Sequence, residues 1–406
     1  MGADKPLNGR EKGFSLPGIW EPFQGLCPCS RTFVRILPLQ PYPLLRLRHI
    51  SLVQFRNHGS SGFRFENRVT AFTGRNGAGK TGLLDGIHYL SCTKSYFHPS
   101  DQPSIQFGKD GFRVEGTFSR DGPEDLVACI LREKGKKEFL LNGSPYARFS
   151  EHIGQFPAVM IAPDDAAILT GISAERRKFL DILLSQMDPV YLDHLIGYGR
   201  VLHQRNSHLK LLSAQGSPGD DLLDALDQQI SAYGTAIHAI RSPFLEHFLP
   251  RVQRRYDELA GSHELVEIIY RSGLSAYPYP ELLTRNRHRD IELQRTTAGI
   301  HRDDLEFLMD GHFLKTSGSQ GQRKTFIFAL KLAQYECIRE KRGLLPLLLL
   351  DDVFERLDSE RISRLIAHIT GPSVGQIFLS DTDPFRVKRA FEGFPETPEV
   401  LELEGG

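Results

Sequence analysis

Tryptophan is almost missing from this chain, cysteine is sparse and net charge is absent: 406 residues hold one Trp, five Cys, and fifty basic residues against fifty acidic ones. The cysteines, Cys27, Cys29, Cys92, Cys129 and Cys337, are odd in number and scattered, with no C-x-x-C pair. That argues against a disulfide-stapled fold or a thiolate zinc site, and reduced thiols are expected. Zero net charge removes the global signature of a strongly basic nucleic-acid binder, so any DNA contact has to come from a local patch. No uninterrupted apolar run reaches about 18 residues, and the N-terminal stretch lacks a compact apolar segment with a small-residue cleavage site. Neither a membrane span nor a secretory signal is indicated, and a cytoplasmic location is expected.

What the chain has is 40% hydrophobic and 25% charged residues, a globular composition long enough for two or three domains. Residues 1–44 are rich in Pro and Gly, show no sustained period and carry the single Trp; they read as an unstructured leader or a misassigned start. Residues 45–172 hold short β-rich runs such as HISLVQFRN and VTAFTG, followed by TGLLDGIHYLS at helical spacing. Residues 173–295 turn mainly helical, with breaks expected at Pro189, at GSPGD and at Pro243. Residues 296–406 return to a mixed pattern that includes an Asp310-Gly311 hairpin turn.

Three motifs carry chemistry. The first is GRNGAGKT, comprising Gly74, Arg75, Asn76, Gly77, Ala78, Gly79, Lys80 and Thr81, which fits G-x-x-x-x-G-K-[ST] between an apolar strand and an amphipathic helix. Glycines let backbone N–H groups curl around phosphates, and the helix N-terminus adds its positive end. Lys80 would reach the β- and γ-phosphates of ATP, and Thr81 would ligate Mg²⁺. The bland alternative is a Gly-rich turn with an exposed lysine. The second motif is LLLLDD (347–352), an apolar strand ending in Asp351 and Asp352. Alone, it also fits a buried strand running into a turn with capping aspartates. Beside a phosphate loop it fits the strand that supplies a Mg²⁺ carboxylate, Asp351, and a residue that orients or deprotonates water, Asp352. The third is a polar, Gly-containing loop, Ser319, Gln320, Gly321 and Gln322, opening a long helix (317–343) as a further anion site. As a lone pattern it is weak, because ordinary N-caps look similar.

Taken in order, with ERLD (355–358) and QIFLSDT (376–382) behind them, these motifs resemble the ABC-type ATPase heads. LVQFRN, APDDAAILTGISAERRKFLD (162–181), GIHRDDL (299–305), SQGQ and LLLLDDVFERLD narrow the resemblance to the RecF family of bacterial recombination mediators. It implies an α/β ABC/SMC-type ATPase head split into halves at 45–172 and 296–406, with the helical block as an inserted arm. It also implies ATP and Mg²⁺ as ligands and an ATP-dependent homodimer in which Ser319 to Gln322 act on the other subunit. Arg56 and Asn57 would lie near the nucleotide. DNA, single-stranded, gapped or at junctions, is the implied partner, with RecR and RecO as protein partners, no membrane, and slow ATP hydrolysis serving repair, replication and the SOS response. Three positions depart from the family pattern: His58 where an aromatic is usual, Glu355-Arg356 where Ser-Glu is usual, and Ser380-Asp381-Thr382 where a Thr-rich strand is common.

Candidate DNA contacts are Arg132, Lys134, Lys136 and Lys137 on an expected hairpin and Lys94 beside aromatics, for which a solvated basic turn is the better reading, and Arg176 and Arg177, which read as facing DNA or as paired with acids on neighbouring helices. His301 with Asp303 and Asp304 falls short of a metal-ligand set and fits a hydrogen-bond network or dimer contact better. Two rival functions remain at this point, a transport-type ABC ATPase subunit and a DNA clamp that holds ATP only structurally.

Overall fold

The computed structural model describes residues 42–404 apart from 121 and 355–357. The expected leader therefore lies outside the described residues up to residue 41, as does Glu355-Arg356. Ahead of the first strand, Leu44 bridges to Leu345.

The chain opens with β1 (Arg46–Phe55), β2 (His58–Arg64) and β3 (Val69–Thr73), then α1 (Lys80–Cys92). Next come β4 (Phe112–Ser119), β5 (Asp125–Leu131), β6 (Lys137–Leu141), β7 (Ser144–Pro145) and β8 (Ala158–Ile161). Helices follow: α2 (Ala166–Thr170), α3 (Ser173–Met187), α4 (Pro189–Gln215) and α5 (Asp221–Ala260). After β9 (Val266–Arg271) and α6 (Tyr279–Glu292) come β10 (Asp304–Met309), β11 (His312–Phe313), α7 (Leu314–Ser317) and α8 (Gln320–Arg342). The chain closes with β12 (Leu347–Leu350), α9 (Ser359–Ile369), β13 (Ile377–Asp381), α10 (Pro384–Ala390) and β14 (Glu399–Glu402).

The organising element is a parallel sheet ordered β14-β3-β13-β12-β8. Its strands β3, β8, β12 and β13 are buried along their whole length, which is why β8 and β12 read as unbroken apolar runs and β3 and β13 as mainly apolar ones with a few buried polar residues. Side chains alternate between two cores. Leu348, Leu350, Val159, Ile161, Ile377 and Leu379 face the helical side, whereas Leu347, Leu349, Ala158, Met160, Phe72 and Phe378 face α1 and the antiparallel sheet β2-β1-β4-β5-β6-β7. A third sheet, β11-β10-β9, closes on the two-residue turn Asp310-Gly311, both residues at positive φ.

One boundary expectation fails. Pro243 does not end a helix; it lies, with Pro250, inside the 40-residue α5. An internal proline costs about 3 kcal/mol or more. The helix continues because Ile237, Arg241, Leu245, Phe248 and Val252 are buried on either side, and that packing outweighs a local breaker.

Candidate phosphate-binding site

In the parallel sheet β13 separates β3 from β12, so the loops after all three strands open onto one crevice. Residues 74–81 leave β3 and enter α1 there. Gly77 and Gly79 have φ of 88° and 101°, a region closed to most side chains. A Cβ on Gly79 would also come within 2.8 Å of the His58 ring. Ala78 N–H donates to the Arg75 carbonyl at 3.1 Å, closing the turn, while Arg75, Asn76 and Gly77 stay exposed. Lys80 is buried and its Nζ donates to the carbonyls of Gly74 and Arg75 at 2.8 and 3.1 Å. The loop is thus wrapped around its own cation.

Thr81 and Asp351, 270 residues apart in sequence, meet here: Thr81 Oγ1 lies 3.1 Å from each carboxylate oxygen of Asp351. Ser380, at the end of β13, donates from Oγ to Asp351 Oδ1 at 2.7 Å and accepts from the Asp352 N–H at 3.0 Å. Burial pushes the Asp351 carboxyl above its ordinary value, and the neighbouring Asp352 charge adds to this, against the hydrogen bonds from Ser380 and Thr81. Such a carboxylate is suited to a cation. Asp352 turns away from its neighbour through a φ of 46° and lines a cavity of about 390 Å³ together with Asn76, Gly77, Gly79, Lys80 and Thr81.

Arg56 and Asn57 line the same cavity. Asn57 Nδ2 donates to the Gly77 carbonyl at 2.8 Å, and Arg56 Nη1 pairs with the buried Asp85 of α1 at 3.2 Å. His58 is a site residue that the sequence marked only as a departure. Its Nε2 lies 3.0 Å from the Gly79 carbonyl and its Nδ1 3.2 Å from Ser61 Oγ. Burial lowers its basicity, so the ring is neutral near pH 7 and donates to Gly79 as the Nε2 tautomer. Ser380 was likewise visible only as a departure. Asp85 had no local signal, since its partner lies 29 residues earlier in the chain.

Ser319, Gln320, Gly321 and Gln322 do not line this cavity. Ser319 caps α8, accepting from the Gln322 N–H at 3.1 Å, while the Gln322 side chain accepts from the Ser319 N–H at 2.7 Å. Ser319 and Gln320 are exposed. Gln320 borders a second cavity of about 180 Å³ that Asp351 also lines.

Several candidate DNA contacts are acid-paired within the chain. Arg132 and Lys136 reach Glu138 at 3.2 and 3.1 Å, and Lys137 reaches Asp101 at 3.0 Å. Arg176 pairs with Asp304 at 2.6 Å, and Arg177 donates to the Asp303 carbonyl at 2.6 Å. Lys94 is exposed. His301 lies in a hydrogen-bond network, with Nδ1 2.6 Å from Tyr198 OH and Nε2 3.1 Å from the Thr296 carbonyl. Among the described residues no group of His, Cys, Asp and Glu side chains could hold a metal by itself, and no helix is long and apolar enough to cross a membrane.

Known proteins resemble this chain over most of its length. The family model described as RecF/RecN/SMC N terminal domain matches residues 46–382. The chain is 36% identical over 359 residues to the DNA replication and repair protein RecF of Flavobacterium johnsoniae, covering 88% of this chain and 100% of that one. It is 39% identical over 337 residues to RecF of Parabacteroides distasonis, covering 83% and 91%. Among solved structures, the recombination mediator protein RecF-ATP of the RecFOR pathway superposes with a TM-score of 0.81 at 28% identity, covering 91% of this chain and 98% of that one.

Proposed function

The chain belongs to the RecF family within the RecF/RecN/SMC group and has its α/β ATPase-head fold with an inserted helical arm; from that premise we propose an ATP-dependent DNA-binding protein of recombinational repair and replication. It hydrolyses ATP slowly and uses the nucleotide to control self-association on single-stranded, gapped or junction DNA. The observation that carries this reading is the meeting of Thr81 with Asp351 beside Lys80, across 270 residues of sequence.

ATP and Mg²⁺ fit the residues present. Backbone N–H groups of the 74–81 loop and the first turn of α1 would hold phosphates. Lys80, now held by two carbonyls, would exchange them for phosphate oxygens. Thr81 Oγ1 and Asp351 would hold Mg²⁺, which when bound draws phosphate oxygens together and offsets developing charge. Asp352 lines the cavity and would orient the attacking water and take its proton. Arg56 supplies a cation at the cavity wall. The Ser319–Gln322 turn, exposed at Ser319 and Gln320 and away from the cavity of its own chain, suits action on a second subunit. RecR and RecO as partners, the SOS response and a cytoplasmic location complete the proposal on family grounds.

The test is phosphate release with and without gapped DNA. Lys80→Met should abolish ATP-dependent DNA binding, and full binding by that variant would sink the reading. Asp352→Asn should still bind ATP while turnover falls about 100-fold, a loss of about 2.7 kcal/mol in transition-state stabilisation. An unchanged rate with DNA bound would favour instead a clamp that uses ATP structurally.

A further inference from the structure

A line of buried polar groups leaves the phosphate cavity on the protein side and ends on α8. It begins at Arg56, whose carboxylate partner Asp85 is fully buried on α1. Asp85 also accepts from Ser95 Oγ and from the Tyr96 backbone N–H, both at 2.8 Å. The Tyr96 ring then reaches away from α1: its hydroxyl donates to Asp165 and accepts from Lys331 Nζ at 2.7 Å. Lys331 and Asp165 pair at 2.8 Å with both side chains about 95% buried. Lys331 lies on α8, the helix that begins at the Ser319–Gln322 turn.

Buried ion pairs of this kind add little stability, because desolvation cancels most of the attraction. Their placement is better explained by what they connect. Tyr96, Asp165 and Lys331 also border a cavity of about 590 Å³. On its wall is Gln334, one turn beyond Lys331 on the same helix, whose buried Oε1 has no hydrogen-bond partner among the described residues. In an interior packed near crystal density, an open space beside a polar line, with an unused acceptor in it, gives the groups room to shift.

We propose that Tyr96 is a positioning residue that ties Arg56 in the nucleotide cavity to Lys331 on α8, so that phosphate held by Arg56 alters the Ser319–Gln322 turn. The proposal rests on the nucleotide reading above. A polyphosphate competes with Asp85 for the guanidinium. Asp85, whose carboxyl burial already pushes upward, then depends more on Ser95 and on the Tyr96 N–H. Any movement of Tyr96 is passed through its hydroxyl to the Asp165–Lys331 pair. From there α8 carries it as a rigid rod to its N-terminus.

The experiment is hydrogen exchange of the segment 319–326 with and without Mg-ATP, on the full chain diluted until monomeric, alongside ATP affinity. In the unaltered protein ATP should change exchange in that segment at least fivefold. Tyr96→Phe keeps the ring and the backbone bond and removes only the hydroxyl; Lys331→Arg keeps the cation. Tyr96→Phe should retain ATP affinity within twofold and an unchanged melting temperature, yet lose the exchange response; Lys331→Arg should retain the response. A full response in Tyr96→Phe, or affinity and response falling together, would overturn the proposal. If the unaltered protein binds no ATP, the nucleotide reading fails and this inference falls with it. ATP binding without any change at 319–326 overturns the inference alone.

Discussion

Two regions of this molecule bury carboxylates, and they treat them in opposite ways. In the helical layer the acids meet arginines. Arg205, fully buried on α4, holds Asp227 and Asp290 at 2.6 and 2.7 Å, and Arg241, on α5, holds Asp181 and Asp303 at 2.7 and 3.1 Å. Burial pushes the Asp303 carboxyl up, and Arg241 with Tyr270 and Ser272 works against it. In the crevice Asp351 meets two hydroxyls and a neighbouring acid; among the described residues no cation pairs with it directly, and Arg56 acts on it only from a distance. Where an arginine touches the carboxylate the group is architectural; where only hydroxyls touch it, the carboxylate is left suited to a cation from outside the chain.

The comparison breaks first, and with the largest effect, at Arg241. Arg241→Ala leaves the buried Asp303 and the half-buried Asp181 without their cation and should cost about 3–5 kcal/mol in denaturant unfolding. ATP affinity of the folded protein should stay within about threefold. A stability loss under about 1 kcal/mol would show that these pairs do not hold the layer together.

At Asp351 the opposite is expected. Asp351→Asn keeps acceptors for Thr81 and Ser380 but removes an underpaired charge, so the ligand-free protein should lose no stability. Mg²⁺-dependent ATP affinity should fall about 10- to 100-fold, or about 1.4–2.7 kcal/mol. The pH dependence has a definite sign. The Asp351 pKa is raised in the folded state, so the proton competes with Mg²⁺ as pH falls through that raised value. Mg²⁺-dependent affinity should therefore weaken as pH falls through that raised value in the unaltered protein, and the component due to Asp351 should vanish in Asp351→Asn. Identical pH profiles for the two would remove Asp351 from the metal site.

The smallest effect belongs to His58, which packs under the loop and donates to the Gly79 carbonyl. His58→Ala should weaken ATP binding by roughly 5- to 10-fold, about 1–1.4 kcal/mol, the worth of one hydrogen bond plus lost packing. Titration calorimetry reads this directly, and unaltered affinity would reduce His58 to filler.

The parts legible along the chain were those whose chemistry is contiguous. GRNGAGKT announces a phosphate loop in eight residues because glycine backbone, lysine and hydroxyl all come from one turn. LLLLDD announces a buried strand ending at polar ground. Asp310-Gly311 announces its hairpin because both residues tolerate positive φ. Pro243 misled because helix breaking is a local cost, whereas the burial that overrides it comes from residues packed against α5 from elsewhere. Arg176 and Arg177 stayed ambiguous between DNA and acids because Asp304 and Asp303 lie far away in sequence and no spacing rule relates them. Asp85 was invisible, as an acid in mid-helix usually faces water.

Motif chemistry and hydrophobic period thus sufficed for the class of fold and for naming the candidate residues of the crevice, since both arise from interactions within a few residues. The approach of Thr81 to Asp351, the insertion of Ser380 between the two aspartates, the neutral histidine under Gly79 and the line from Arg56 to Lys331 required the chain to return on itself. They depend on β13 lying between β3 and β12 and on α8 crossing behind the sheet, placements set by burial of apolar faces that carry no record of which polar groups will meet.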